Sequence, residues 1–525
     1  MSKLTSFGRA IIVLTTISAA IMELIDVSIV NVALADISGN LGSTIEDTAW
    51  VITSYAIANV IIIPLTGFLA KLFGRKRYYL ASIVIFTIAS YMCGQSGSLM
   101  VLVFWRFVQG IGGGALLSTS QGILFDSFEP AKRSMAAGMF GMGIVIGPTI
   151  GPILGGVIID HYHWPLIFDI NIPFGIVAAL LAWRFVPDDT EEQLANRKNI
   201  YIDYIGISFL TLGVGSLQYV LERGETEDWF DSRIIFIFSV LAVVGLFVFI
   251  YRQLTIENPV INLKIMKNGN LLASNVLTFV LGFGLFGSVF IFPVLAQRVL
   301  GYTPTDAGLG LVPSALVAII AMPIIGKTLG SGMPPLVYVI IGFASFILHG
   351  YTSSLANLDA SLAFFVVPQI FRGIGTACLI VPLINQAVVG LAPKDLPSGI
   401  ALTNMLRQLG GAFGIAIMNT YITTRYAVHR TDLVSNLNVF DPQTVQRLTD
   451  LKNGAIARGV DALTASDLSY KIMDLTVTRQ GFLLAYLDGF KLISLFFLLT
   501  IPFMFLLKTK KMDAESIKKV QEESH

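Results

Sequence analysis

Charge is scarce in this chain. Asp, Glu, Lys and Arg make up 13% of its 525 residues, against about 25% in a soluble domain. With 54% hydrophobic residues, that shortage excludes an ordinary soluble fold and points to an all-α polytopic membrane protein. The net charge of +1 supplies no basic field, so nucleic acid is not an expected partner. Cysteine is nearly absent: Cys93 and Cys378 both fall in apolar segments and read as inert buried thiols rather than a disulfide. No Cys/His cluster has metal-ligand spacing, and His161 and His163 merely flank an outer loop. P-loop, HExxH and GxSxG motifs are missing too. An enzyme, a cofactor and a metal are therefore not expected. Without a Walker motif there is no fused ATPase, so any driving force must come from an ion gradient.

Long apolar runs are what the chain does have. About 20 apolar residues cross a bilayer as a helix, and that length gives about fourteen spans. The first, near 10–34, follows the basic start MSKLTSFGRA. It is too long for a cleaved h-region and contains Glu23 and Asp26, so it reads as a retained span. The third lies near 79–97, the tenth near 306–329 and the last near 481–508. Lys71, Arg75, Lys76 and Arg77 follow span 2, and Lys132 and Arg133 follow span 4. Arg252, Lys264 and Lys267 follow span 8, and Lys508, Lys510 and Lys511 follow span 14. The loop after span 1 holds Asp36, Glu46 and Asp47 without a cation. The positive-inside rule then makes both termini cytoplasmic and puts the polar stretch 425–480 outside. Asp441-Pro442 has the form of a helix N-cap and first residue, and Val445, Leu448 and Leu451 continue with helical spacing. A second helix is expected from about Ser466-Asp467 into span 14.

The chain repeats itself. TIEDTAWVITSYAIANVIIIPLTG and TPTDAGLGLVPSALVAIIAMPIIG both place Asp (47, 306), Pro (64, 323) and Gly (67, 326) at the same spacing. VQGIGGGALL (108–117) matches FRGIGTACLI (371–380), and Pro130 matches Pro393. These offsets predict two six-helix units around an inserted pair, in a 6+2+6 arrangement with the site between the halves. The expected divisions are a bundle over 1–186, a linker with two inserted spans over 187–260, a second bundle over 261–424, an outer helical segment over 425–480, and a last span with tail over 481–525.

Charges inside spans each cost roughly 2.5–3.5 kcal/mol on insertion scales, so they mark function. Glu23 and Asp26 are three residues apart and share a face of span 1. Arg106, Arg372 and Arg407 lie in spans 4, 12 and 13. Burial raises a carboxylate's pKa and a neighbouring guanidinium lowers it, so their competition can bring a titration near neutral pH. Asp26 is the expected proton carrier, with Arg106 its partner. Glu23, Arg372 and the neutral polar residues Asn31, Tyr55, Asn59, Gln109, Gln121, Asn275, Gln369, Asn385, Asn404 and Gln408 are expected to line a cavity for amphipathic molecules. A permanent ion pair and interhelical hydrogen bonds are the plainer readings.

The run GIVIGPTIGPILGG (143–156) puts poor helix formers inside a span. In lipid, neighbouring helices re-satisfy what Pro frees. Gly143, Gly147, Gly151 and Gly155 recur every four residues, and so do Pro148 and Pro152, with Gly156 following. The glycines form a smooth groove for close helix packing, and the prolines permit a bend.

Together these motifs resemble the major facilitator superfamily, and within it the fourteen-span drug:proton antiporters of the EmrB and QacA type. LIDVSIVNVAL (24–34) resembles the span-1 motif, with Ser28 in place of Thr and Ala35 in place of Pro. GFLAKLFGRKR resembles the loop 2–3 motif through Gly67, Gly74, Arg75 and Lys76, but has Lys71 where Asp is usual. WRFVQGIGGG carries the span-4 Arg106, and GIVIGPTIGPILGG resembles the span-5 antiporter motif. HWPLIFDINIPFG and LRQLGGAFGIAI also fit. The resemblance implies proton-driven export of hydrophobic and amphipathic compounds from a bacterial inner membrane. It further implies a periplasmic adaptor of EmrA type and an outer-membrane channel, and packing of span 5 against span 8 or 10 of the opposite half. A dedicated exporter of an endogenous metabolite, such as a siderophore or fatty acid, has the same fold, and a non-transporting receptor is the third reading.

Overall fold

The computed structural model describes residues 6–129, 132–188, 201–392, 395–438 and 440–507. Regular structure among them is helical throughout. Helices α1 (Ser6–Leu41), α2 (Trp50–Phe73), α3 (Arg75–Gly94), α4 (Leu99–Asp126), α5 (Arg133–His161), α6 (Asn171–Phe185), α7 (Tyr204–Arg223) and α8 (Arg233–Thr255) fill the first part. Then come α9 (Gly269–Arg298), α10 (Val312–Gly330), α11 (Pro335–Ser353), α12 (Leu362–Gln386), α13 (Leu396–Ser435), α14 (Pro442–Ile456) and α15 (Ala462–Thr500).

Thirteen helices among the described residues are long and apolar enough to cross a membrane. A helix stands at every predicted span, but α3, at the third, is not among the thirteen. Its first turn is occupied by Arg75, Lys76 and Arg77, which leaves too short an apolar run. Large apolar side chains such as Val243 and Phe247 of α8 point outward, 69% and 71% exposed, as lipid-facing residues do. The polar linker to Asn199, the cations Lys508, Lys510 and Lys511, and the Pro130/Pro393 match lie largely or wholly outside the described residues.

The repeated Thr-x-x-Asp sequence builds the same local device twice. Thr44 Oγ1 accepts from the Asp47 amide at 3.0 Å, and Thr303 Oγ1 from the Asp306 amide at 3.1 Å. Each threonine also donates to its aspartate carboxylate at 2.8 Å, so the short helices Ile45–Thr48 and Pro304–Leu309, which lead into α2 and α10, both start on a threonine cap. Outside the spans, Asp441 caps α14 as expected, accepting from Gln443 and Thr444. The following helix starts earlier than expected, because Asp461 caps it through the Leu463 and Thr464 amides at 3.1 and 3.0 Å. It then runs unbroken into the last span.

Glycines set the close crossings. A Cβ on Gly110 or Gly114 of α4 would stand 2.6 and 2.7 Å from the Tyr55 and Asn59 carbonyl oxygens of α2. In the later helices, Gly414 of α13 meets the Phe283 carbonyl of α9 in the same way, at 2.6 Å. Close backbone approach of this kind replaces the hydrophobic drive that lipid does not supply.

Candidate functional site: a buried carboxylate hub on the first helix

Asp26 is fully buried where α1 passes α3, α4 and α6. A buried charge persists only when paired and hydrogen-bonded, and this one is both. Arg106 Nη1 lies 2.6 Å from Asp26 Oδ2, with both side chains 1% exposed or less. Gln109 Nε2 and Asn171 Nδ2 donate to Oδ1 at 2.8 and 2.9 Å. Ser90 Oγ accepts from the same two amides at 3.1 and 3.0 Å and donates to the Phe168 carbonyl at 3.0 Å. Arg106 is itself held: Nη1 donates to Gln109 Oε1 at 2.7 Å, Nε donates to the Val51 carbonyl at 3.1 Å, and the guanidinium lies 4.2 Å from the Tyr55 ring centre. The expected Asp26–Arg106 contact is present, and Gln109 belongs to it. Ser90 and Asn171 were missed by sequence reasoning, since small neutral residues in apolar runs carry no signal of their partners.

Glu23 sits one turn away on the same helix and is less well satisfied. Its Oε1 accepts from Asn59 Nδ2 at 3.0 Å and from Tyr55 OH at 3.4 Å. Its Oε2 is buried without a partner. Arg407 of α13 lies within electrostatic range, and its Nε is likewise buried and unpartnered.

The other polar residues do not converge on one cavity. Asn404 Nδ2 bridges to Ser118 Oγ and Gln121 Oε1 at 3.1 and 3.0 Å, joining α13 to α4. Asn275 accepts from Thr403 at 2.7 Å and donates to Met266 Sδ, a local tie near the start of α9. Gln369 and Arg372 are buried together on α12. Asn385 and Gln408 are only half-buried, and exposed Asn31 donates at 3.4 Å to the Val27 carbonyl of its own helix. In the loop after α2, Gly74 adopts φ +92°, a left-handed turn that releases the chain into α3. Arg75 pairs there with Asp126 at the end of α4, and Lys76 with Asp188 at 3.2 Å. Asp126 was not foreseen.

Helix α5 packs against α10, the tenth span, as expected. The four-residue glycine stripe is not the face that does so. Gly147 and Gly151 press on Leu24 and Ser28 of α1, while Gly143 and Gly155 face Ile21 and Ile29 of the same helix. The α10 contact uses Gly138, whose Cβ would meet the Met322 carbonyl at 2.7 Å, and Gly156 lies beside Thr305 of the short helix that precedes α10. On α10, Gly326 in turn faces the Ser134 carbonyl at 2.7 Å. A Cβ on Gly67, its counterpart in the repeat, would stand 3.2 Å from the Pro397–Ser398 backbone at the start of α13. A period of four drifts round a helix by 40° per step, so the stripe follows one neighbour, and that neighbour is α1, which runs parallel to α5 as residues 143 to 155 meet residues 17 to 32 in rising order.

Comparison with known proteins agrees with this architecture. Residues 16–415 match the model of the Major Facilitator Superfamily. The chain is 38% identical over 437 residues to the multidrug export protein EmrB of Escherichia coli (strain K12), covering 83% of this chain and 84% of that protein. It is 32% identical over 495 residues to the fatty acid resistance protein FarB of Neisseria gonorrhoeae, covering 93% and 94%. The crystal structure of the human organic anion transporter MFSD10 superposes with a TM-score of 0.57 at 13% identity, covering 95% of this chain and 99% of that one. That last likeness is one of fold. With its many apolar helices and this match over most of its length, the chain is an integral multi-pass membrane protein that belongs to the major facilitator superfamily of transporters.

Proposed function

We propose that the chain is a proton-driven exporter of hydrophobic and amphipathic toxic compounds. It works by alternating access between two six-helix units, with the α7–α8 pair inserted between them. The observation that carries this reading is the pair of carboxylates one turn apart on α1. Asp26 is saturated by three donors, and Glu23 keeps one buried oxygen free. A proton taken up from outside neutralises this cluster, loosens its hold on Arg106, and favours the resetting of the two halves. Release inward completes antiport, because substrate and proton each bind the two states unequally. The similarity to a multidrug export protein supplies the substrate class.

The remaining features of the reading are its setting and its partners. The membrane is the bacterial cytoplasmic membrane, with both termini inside. The helical segment 425–480 projects outward and offers a surface for a periplasmic adaptor of EmrA type that leads to an outer-membrane channel. No cofactor is required. A dedicated exporter of one endogenous acid is the second reading, supported by the likeness to a fatty acid resistance protein.

The deciding measurement is dye efflux from a pump-deficient bacterial host, with and without a protonophore. Gradient-dependent efflux lost in Asp26→Asn supports the proposal. Efflux that survives collapse of the gradient, or survives the substitution, refutes the coupling assignment.

A further inference from the structure

The repeat contains an asymmetry. Arg106-x-x-Gln109 in α4 corresponds to Gln369-x-x-Arg372 in α12, the same two residue types in reverse order. At the offset relating Asp47 to Asp306, Leu285 occupies the place of Asp26, and His349 that of Ser90. The second half has therefore kept a buried guanidinium and lost its carboxylate.

The consequences are visible at the side chain. Arg372 is 3% exposed. Its Nε donates to Ser314 Oγ at 3.0 Å, but its Nη1 is buried without a partner. No ion pair to it occurs among the described residues. Around it stand further unsatisfied atoms: Thr376 Oγ1 one turn on, Gln369 Oε1, and His349 Nε2. His349 donates through Nδ1 to the Pro368 carbonyl at 2.9 Å, which leaves Nε2 open. Arg372 and Thr376 line a small pocket of about 20 Å³ whose other walls include Ile144 and Val145 of α5, Leu285 and Phe286 of α9, and Ser314 of α10. Guanidinium does not deprotonate in proteins, and a buried charge without a counter-ion is costly. No carboxylate among the described residues supplies the missing anion.

We propose that Arg372 is the anion-recognition group of a pocket between α5, α9, α10 and α12 that takes amphipathic organic acids. The pocket as it stands has room for the carboxylate alone, which accepts from Arg372 Nη1 and Thr376 Oγ1, and the apolar body follows along the α5 and α9 side chains when the two halves separate. This deepens the export reading above and rests on it. It places acid recognition in the later helices, apart from the Glu23 and Asp26 carboxylates of α1.

The test uses the full-length purified chain and a dansyl-labelled undecanoic acid, followed by fluorescence anisotropy. The expected result is displacement by decanoate and not by decylamine. Arg372→Gln weakens binding by about ten- to a hundredfold, the effect of losing a charged hydrogen bond. Thr376→Asp supplies an internal carboxylate while leaving Arg372 in place. It abolishes probe binding and raises the melting temperature, and it decides the matter should Arg372→Gln fail to fold. Unchanged affinity in Thr376→Asp, displacement by decylamine as effective as by decanoate, or displacement by excess chloride would each overturn the proposal. The two readings fail separately. Wild-type protein that binds the acid but exports neither it nor ethidium sinks the export reading alone. Export of ethidium without acid binding sinks the pocket alone.

Discussion

Asp26 and Arg106 form a 2.6 Å ion pair from which solvent is essentially excluded. They are joined across α1 and α4, and each is held by further donors or acceptors. Neither can be removed without leaving the other as a buried charge.

Asp26→Asn is therefore expected to cost both coupling and stability. Stranding one partner of a buried pair costs about 3–5 kcal/mol. Gradient-driven efflux should vanish, and the melting temperature of the purified protein should fall. The double variant Asp26→Asn/Arg106→Gln should melt higher than either single variant, because no net buried charge remains. A double variant that melts lower than both would contradict the pairing argument.

The glycine stripe gives a graded test. A Cβ on Gly143 would make ordinary contact with Ile21, at 3.4 Å, whereas one on Gly147 overlaps Leu24 of α1. Gly143→Ala should leave the melting temperature within about 0.5 kcal/mol equivalent of wild type. Gly147→Ala should destabilise by about 1–3 kcal/mol through overpacking. Equal melting temperatures would show that α1 and α5 are not as close as described.

Asn404 ties α13 to α4 through Ser118 and Gln121. Each such bond contributes about 1 kcal/mol, so Asn404→Ala should shift the balance between the closed and open forms of this contact by roughly fivefold to thirtyfold. Spin-label distances between α4 and α13 would report the longer population rising. An unchanged distance distribution would mean that the bridge is incidental.

Outside the membrane, pH should act on α14. Hydrogen bonds from the Thr444 side chain and amide, and from the Gln443 amide, hold the Asp441 carboxyl below its ordinary 3.8. A depressed folded value means that the cap is present above the ordinary value and is lost as pH falls through the depressed one. Amide exchange in the first turn of α14, corrected for intrinsic rates, should therefore quicken on acidification below about pH 4. Asp441→Ala should remove that pH dependence. A pH-dependent response that persists in the variant would place the titration elsewhere.

Fold class was legible in the sequence because bilayer thickness converts directly into run length. The repeated Thr-x-x-Asp caps were legible because capping is local: Thr44 meets Asp47, and Thr303 meets Asp306, within one turn. The Asp26–Arg106 pair was reachable from the high cost of charges in spans. What the linear order could not reveal was which polar groups share a site. Asn171 reaches Asp26 only because α6 packs on α1 at that level, and Ser90 of α3 joins the cluster only through Asn171 and Gln109. Asn275 and Asn404, by contrast, were diverted into ties with Thr403 and Ser118. The glycine run announced close packing, but its neighbour proved to be α1, since identical small faces fit any helix and only the tertiary arrangement selects one. Amino-acid order alone determined that charges would be buried in this membrane protein. Helix crossing decided which of them found counter-ions, and left Arg372 without one among the described residues.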